Sequence, residues 1–278
     1  EFYAFFLLSL IGVMLCCNAN DLAWLFLALE LTSLPTYIMV AVSRPSPKAQ
    51  EAAVKYFFLG AMAAAMFLYG FALLYGATGT IVLTEMRDVF LAQKLADEGG
   101  SINLIGTIGL ILAVLGVCFK IAAAPMHFYA ADVYEGAASP VTAFLGFVPK
   151  AAGMIALILL LSTVGWGDLE AGIPGLPQPV LTVLWMVAVL TMTLGNIGAL
   201  LQKSVKRMLA YSSIAHSGYM LIGIIAGPGL GVNAVLFYLF VYGLMNTGAF
   251  AVLAGLERQG QEIESFEDLA GLRLRHGW

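Results

Sequence analysis

Charged side chains are scarce in this chain. Only 11% of its 278 residues are Asp, Glu, Lys or Arg, whereas a water-soluble domain carries about 25%. Hydrophobic residues make up 61%, and the net charge of −4 offers no basic surface for a nucleic acid. Apolar runs long enough to cross a bilayer recur along the whole length, and a segment in lipid must satisfy its own backbone hydrogen bonds. We therefore expect an all-α, multi-pass membrane protein.

Sequence motifs for cofactors are also missing. The three cysteines, Cys16, Cys17 and Cys118, lie inside apolar runs, with neither a C-x-x-C pair nor a Cys/His cluster. This pattern excludes the usual iron–sulfur and zinc sites. No G-x-G-x-x-G follows a predicted strand, and no phosphate-binding P-loop occurs. We expect neither a cofactor nor a metal ion in this chain.

Eight apolar segments are predicted to be transmembrane helices, and the fourth ends in a break. The charged stretch 80–98, before the fourth helix, is expected to lie outside the bilayer. The loop 165–177 is rich in Gly and Pro. The chain starts without a methionine directly at a spanning run, so we interpret it as part of a longer protein. The predicted helices cover about 2–17, 22–42, 52–76, 103–121, 139–163, 179–201, 208–226 and 231–255.

The distribution of basic residues predicts the orientation, because Lys and Arg favour cytoplasmic loops. With eight crossings, the regions after the second, sixth and eighth helices fall on one side. They carry nine Lys and Arg residues, against two on the opposite side. The nine-residue side is expected to be cytoplasmic. The two remaining lysines, Lys120 and Lys150, are left inside the membrane.

Glu30 is the first candidate site residue, as the ninth residue of the second predicted helix. A charge near the bilayer centre costs roughly 2.5–3.5 kcal/mol, so it persists only with a partner or a function. Glu30 could be a protonated or paired structural residue. We favour a carboxylate that tunes a neighbouring lysine.

The two buried lysines are the main candidates. Lys120 adjoins a run of small residues and Pro125, which break the fourth helix. Burial favours a neutral amine and a nearby carboxylate favours the ammonium, so a lysine held between these effects can exchange a proton. A break at membrane depth is tolerated where it lines a cavity; the alternative is that Lys120 snorkels to the interface. Lys150 lies about eleven residues into the fifth helix, too deep for easy snorkelling, and is predicted to be a second proton-exchanging amine.

Two histidines complete the candidate set. His127 could relay protons between the lysines or could equally be a hydrogen-bonded packing residue. His216 lies among serines on the seventh helix, but no acidic residue or oxyanion loop accompanies it, so a hydrated or helix-packing role is favoured over a nucleophilic one. Asp132 and Glu135 share one helical face and are expected to be structural.

Four segments together resemble a known family. They are ALELTSLPTYIMV at 28–40, FKIAAAPMHFYAADVYEGAASPVTAFLGFVPKAAG at 119–153, KRMLAYSSIAHSGYMLIG at 206–223 and FYLFVYGLMNTGAFAV at 237–252. In this order they resemble the antiporter-like membrane subunits of respiratory complex I, the NADH:quinone oxidoreductase, which are related to Mrp cation/proton antiporter subunits. The D-V-Y-E-G run at 132–136 favours the subunit N branch.

The resemblance implies two inverted five-helix repeats, each with a broken helix. Residues 1–164 would form the first repeat, with its break at about 119–135. Residues 178–256 would begin the second, and 257–278 would be a polar cytoplasmic tail or loop. By position, Glu30, Lys120 and Lys150 match the family's proton-path residues, and His127 and His216 match histidines that line its polar axis.

The function implied is that of a proton-translocating membrane-arm subunit of complex I, in a bacterial or mitochondrial inner membrane. NAD, FMN, iron–sulfur clusters and quinone would belong to partner subunits, which include the homologous antiporter-like subunits and small membrane subunits. Two alternatives stay open. One is an Mrp-type Na⁺/H⁺ antiporter or membrane-bound hydrogenase subunit; the other is a passive membrane scaffold.

Overall fold

A computed structural model describes residues 2–97, 100–167, 175–257 and 265–270. Within these ranges the chain is all-α, as its composition predicts. It forms ten α-helices and a short 3₁₀ turn. Most of the predicted tail and part of the loop 165–177 lie outside the described residues. The α-helices are α1 (Phe2–Cys17), α2 (Leu22–Val42), α3 (Pro47–Thr78), α4 (Leu83–Ala96), α5 (Leu104–Cys118), α6 (Ala130–Gly136), α7 (Ser139–Ser162), α8 (Gln178–Leu200), α9 (Val205–Ala226) and α10 (Leu230–Leu256).

The eight predicted apolar segments are all helical. Six of them, α2, α3 and α7 to α10, are long and apolar enough to cross a membrane. The other two, α1 and α5, are apolar but shorter, with 16 and 15 residues. Between α9 and α10 the chain turns at Gly227, which has a φ of 84° that favours glycine. The chain is therefore a multi-pass integral membrane protein.

Helix α3 begins five residues before its predicted start. Ser46 caps it by accepting a hydrogen bond from the Ala49 N–H, and Pro47 occupies the first turn, where its missing N–H costs nothing. The charges of this first turn lower the local hydropathy, so apolar length alone places the helix start too late. The consequence is that Lys48 and Glu51 lie on α3 rather than in a loop.

The charged stretch 80–98 contains the amphipathic helix α4. One face, formed by Leu83, Met86, Phe90 and Lys94, is buried, and the spacing of these residues follows the helical period. This end of the bundle is closed by contacts between distant loops. The Leu22 N–H donates to the Ile81 carbonyl. Lys94 of α4 donates to the carbonyl of Val164, just after α7.

The fourth apolar segment is interrupted. Helix α5 has 15 residues and is therefore about 22 Å long, shorter than the roughly 30 Å hydrocarbon core. After Cys118 the backbone runs through turns, Ala122 adopts a positive φ of 53°, and the Ala124–Pro125 peptide bond is cis. The seven-residue helix α6 then follows. The break packs inside the bundle, because Ile121, Ala123 and Phe119 are all buried.

Candidate functional site

Lys120 forms a buried ion pair with Glu30. Its Nζ lies 3.0 Å from Glu30 Oε1 and donates a second hydrogen bond to Ser33 Oγ at 2.7 Å. The lysine side chain is 2% exposed and that of Glu30 16%. Glu30 and Ser33 are three residues apart on α2, so both reach the same point. Because the ammonium turns inward to α2, Lys120 does not snorkel to an interface.

The backbone carbonyls released by the break accept hydrogen bonds from side chains. The Tyr129 hydroxyl donates to the Phe119 carbonyl at 2.8 Å, and the Ser217 hydroxyl of α9 donates to the Ile121 carbonyl at 2.5 Å. Thr191 of α8 accepts from the Ala124 N–H at 2.9 Å. A buried backbone group without a partner is costly, so these hydroxyls stabilise the non-helical conformation that places Lys120.

Aromatic rings surround the break on the α3 side. Tyr56 stacks on Tyr129 with ring centroids 4.9 Å apart, and Phe119 packs on Tyr129 at 4.3 Å. The Tyr56 hydroxyl also lies near α2, 3.4 Å from Thr36 Oγ1. The rings pack the break against α3, and the hydroxyls of Tyr56 and Tyr129 add polar groups beside it.

Lys150 lies deep in α7 and binds α9. Its Nζ donates to the Ser213 carbonyl at 2.5 Å and to Ser213 Oγ at 2.7 Å. The ammonium also stands over the ring of Tyr242, 4.7 Å from its centroid, a favourable cation–π geometry. Lys150 is 2% exposed. Unlike Lys120, it has no carboxylate partner within the described parts of the chain.

The two lysines line the same cavity. It has a volume of about 10 Å³, close to the space that one water molecule needs. Besides Lys120 and Lys150 it is bordered by phenol side chains and by apolar residues. These other lining residues are Tyr56, Ile121, Ala122, Tyr129, Val133, Tyr134 and Leu145.

The two histidines occupy different surroundings. His216 Nδ1 lies 2.6 Å from the Tyr238 hydroxyl, and its ring packs against Tyr242, 5.0 Å between centroids. Through Tyr242 it is therefore next to Lys150. His127 is buried in the break, but it is not among the residues that line the cavity. Its Nδ1 finds no hydrogen-bond partner among the residues that the structure describes.

Charged residues anchor α6 at one end of the bundle. Arg207 Nη1 donates to Asp132 Oδ1 at 2.8 Å and to Glu135 Oε2 at 2.9 Å. Lys55 of α3 bonds the other oxygen of Asp132 at 2.8 Å. Arg44, just after α2, donates to the Glu135 carbonyl at 3.0 Å. The two carboxylates thus hold α6 in place, which is the structural role that their sequence pattern suggests.

The sequence pattern assigned no proton-path role to Ser33, Tyr134, Ser213 or Tyr242. Each contributes a hydroxyl to the surroundings of a buried lysine. Serines on the seventh predicted helix were the only available signal, and serine is also common where membrane helices pack.

No group of three or more His, Cys, Asp or Glu side chains within the described ranges could hold a metal ion.

Comparison with known proteins shows which family the chain resembles. Residues 19–276 match the family model described as NADH:quinone oxidoreductase/Mrp antiporter, transmembrane. A curated relative, NADH-quinone oxidoreductase subunit N of Coxiella burnetii, is 43% identical over 100% of this chain and 55% of its own length. The chain thus spans about half the length of the curated relative that it matches.

Two solved structures share the fold. A chain of respiratory complex I from Thermus thermophilus with bound aureothin has a TM-score of 0.77 and 37% identity, covering 99% of this chain and 55% of its own. A chain of the archaeal membrane-bound sulfane sulfur reductase has a TM-score of 0.79 and 28% identity, covering 95% and 51%. The resemblance seen in the sequence motifs is confirmed: this chain belongs to the NADH:quinone oxidoreductase/Mrp antiporter transmembrane family.

Proposed function

We propose that this chain moves protons across the membrane as part of an NADH:quinone oxidoreductase, and that Lys120 and Lys150 carry them. One observation supports the proposal most directly: both lysines are buried and both border one cavity. Buried ionisable residues in membrane segments commonly mark ion pathways. The relative named NADH-quinone oxidoreductase subunit N supports the choice of complex.

The proposed step is electrostatic. While Glu30 stays 3.0 Å from Lys120, the carboxylate stabilises the ammonium. Any change that draws the carboxylate away leaves a buried charge without its partner, and the ammonium then gives up its proton toward the cavity. Lys150, whose bonds go to neutral oxygens of Ser213, takes up that proton.

The remaining candidates extend this route. His216 lies beside Lys150 across the ring of Tyr242, so we place it after Lys150. His127 stays a candidate because its buried Nδ1 is open to a donor. In this proposal residues 1–164 act as one repeat and 178–256 as the start of the next. The basic end with Arg44 and Arg207 faces the cytoplasm. NAD, FMN, iron–sulfur clusters and quinone belong to partner subunits.

The test uses the assembled complex in membrane vesicles. Lys120→Ala and Lys150→Ala should each lower the number of protons pumped per electron, because each removes one carrier from the route. Lys203→Ala, which removes an exposed lysine, is the matched control and should pump normally. A normal proton-to-electron ratio in both buried-lysine variants would overturn the proposal.

The same vesicles separate two other functions. If the chain belongs to an Mrp-type antiporter, a sodium gradient drives proton movement without NADH. If it is a passive scaffold, removing either lysine lowers the yield of assembled complex but not the pumping of the complex that remains.

A further inference from the structure

Ser213 of α9 meets side chains from three other helices. Lys150 Nζ and the Tyr242 hydroxyl each donate to Ser213 Oγ at 2.7 Å. The Tyr134 hydroxyl of α6 lies 3.2 Å from the same oxygen, and either atom can be the donor there. Ser213 itself is 2% exposed. All contacts of this oxygen are therefore made inside the protein.

The hydrogen-bond capacity of a serine fixes the direction of these contacts. A hydroxyl has one proton to donate and two lone pairs that accept. When Lys150 is charged, its ammonium and Tyr242 occupy both lone pairs, so the Ser213 proton must point to Tyr134. When Lys150 is neutral, its nitrogen can accept, the Ser213 proton turns to it, and Tyr134 donates to Ser213. The charge of Lys150 thus sets the direction of the whole chain of hydroxyls.

We propose that Ser213 delivers the proton to Lys150, drawing it from the cavity through Tyr134. Tyr134 and Lys150 both border the cavity shared with Lys120. The hydrogen bonds of the Lys150 nitrogen go to Ser213, and Ser213 Oγ meets the Tyr134 hydroxyl. The hydrogen-bonded route from the cavity to this nitrogen therefore runs through Tyr134 and Ser213. The inference rests on the proposed function, since it names the route by which one carrier is loaded.

The step balances as a proton relay. The donor is an acid in the cavity, either the ammonium of Lys120 or a protonated water molecule. The Tyr134 oxygen gains the donor's proton and passes its own to Ser213 Oγ. Ser213 passes its own proton to the neutral amine of Lys150. Three bonds to hydrogen break and three form, one proton is moved, and neither hydroxyl ends with a charge.

A second contact separates delivery of the proton from placement of the lysine. Lys150 also donates to the Ser213 backbone carbonyl at 2.5 Å. Replacing the serine side chain leaves that carbonyl in place, so Lys150 stays anchored to α9 when the hydroxyl is removed. A variant without the hydroxyl therefore tests the relay and not the position of the amine.

The experiment compares variants of the assembled complex in vesicles. Ser213→Ala should pump fewer protons per electron than the parent, and Ser213→Thr, which keeps a hydroxyl, should recover most of the loss. Tyr134→Phe keeps the ring beside Phe250 but removes the first hydroxyl, so it should show the same deficit. Ser212→Ala, the neighbouring half-buried serine, is the matched control and should behave as the parent.

Lys150→Ala, measured in parallel, tells the two proposals apart. Normal pumping by Ser213→Ala alongside impaired pumping by Lys150→Ala would overturn the relay and leave the proposed function standing. Normal pumping by Lys150→Ala would overturn the relay, and normal pumping by both Lys150→Ala and Lys120→Ala would overturn the proposed function as well. If Ser213→Ala lowers the yield of assembled complex, the number of protons that Tyr134→Phe pumps per electron tests the relay instead. A lowered number supports the relay, and a normal number overturns it.

Discussion

Gly153 of α7 packs directly on Lys120. A Cβ at position 153 would lie 3.0 Å from the Lys120 Cβ and 2.6 Å from Ile121 Cγ2. Lys150 stands three residues earlier on α7 and therefore near the same helical face. The missing side chain lets the helix that carries one lysine approach the break that carries the other. Gly153 thus sets how closely α7 approaches the break.

We expect Gly153→Ala to destabilise the protein by about 1–3 kcal/mol, the usual cost of overpacking a tight site. The added methyl must displace either α7 or the break, so pumping should fall as well. Thermal unfolding of the purified complex and proton-to-electron ratios measure the two effects.

Gly76→Ala is the matched control for that substitution. Gly76 lies inside α3 and a Cβ there would meet nothing within 4 Å. Alanine favours a helix over glycine by roughly 0.5–1 kcal/mol, so this variant should be neutral or slightly more stable. An unfolding temperature of Gly153→Ala equal to that of the parent would show that the contact is not tight.

We expect Glu30→Gln to cost up to about 3–5 kcal/mol, because removing one partner of a buried ion pair leaves the other charge uncompensated. Lys120 keeps its bond to Ser33, which places the cost toward the lower end. Pumping should also fall, since the carboxylate no longer controls the charge of Lys120. Chemical unfolding of the purified subunit complex measures the stability.

The double variant Glu30→Gln with Lys120→Gln distinguishes stability from function. It removes both charges, so most of the lost stability should return. Pumping should stay low, because the proton carrier is gone. Recovery of pumping together with stability would contradict the role assigned to this pair.

Lys94 is another buried lysine and lies on α4, outside the candidate spans. Its Nζ donates to the Val164 carbonyl at 3.0 Å. Burial lowers the pKa of Lys94 below its ordinary value of 10.5. Between the lowered pKa and 10.5 the unfolded state binds more protons than the folded state, so folding stability rises with pH across that window.

We therefore expect Lys94→Met to flatten the rise in stability with pH in the alkaline range below 10.5. The free energy of unfolding, measured at several pH values, gives the slope. Arg87→Met removes an exposed charge from the same helix and should keep the slope of the parent. An unchanged slope in Lys94→Met would mean that another group titrates in this range.

The sequence predicts the eight apolar helices and the burial of Lys120 and Lys150, because both follow from local composition. Runs of apolar residues predict each span, and the rarity of charge makes Glu30, Lys120 and Lys150 conspicuous. The break after Cys118 is signalled by small residues and Pro125. These signals lie within one segment and need no knowledge of the packing.

The hydroxyl network could not be predicted, because its members are distant in the chain and common in composition. Lys150 and Ser213 are 63 residues apart, and Tyr134 and Ser213 are 79 apart. A serine or tyrosine in a membrane helix costs little free energy. The sequence pattern therefore cannot separate these hydroxyls from the other serines and tyrosines of the chain. Only helix packing brings them together.

Helix α2 holds the broken region at both of its limits. Glu30 and Ser33 bind Lys120 at its start, and Arg44, just past the end of α2, binds the carbonyls of Glu135 and Ala137 at its finish. A shift of α2 along its axis would move both attachments at once. The surroundings of the Lys120 charge and the position of the short helix α6 are therefore coupled through α2.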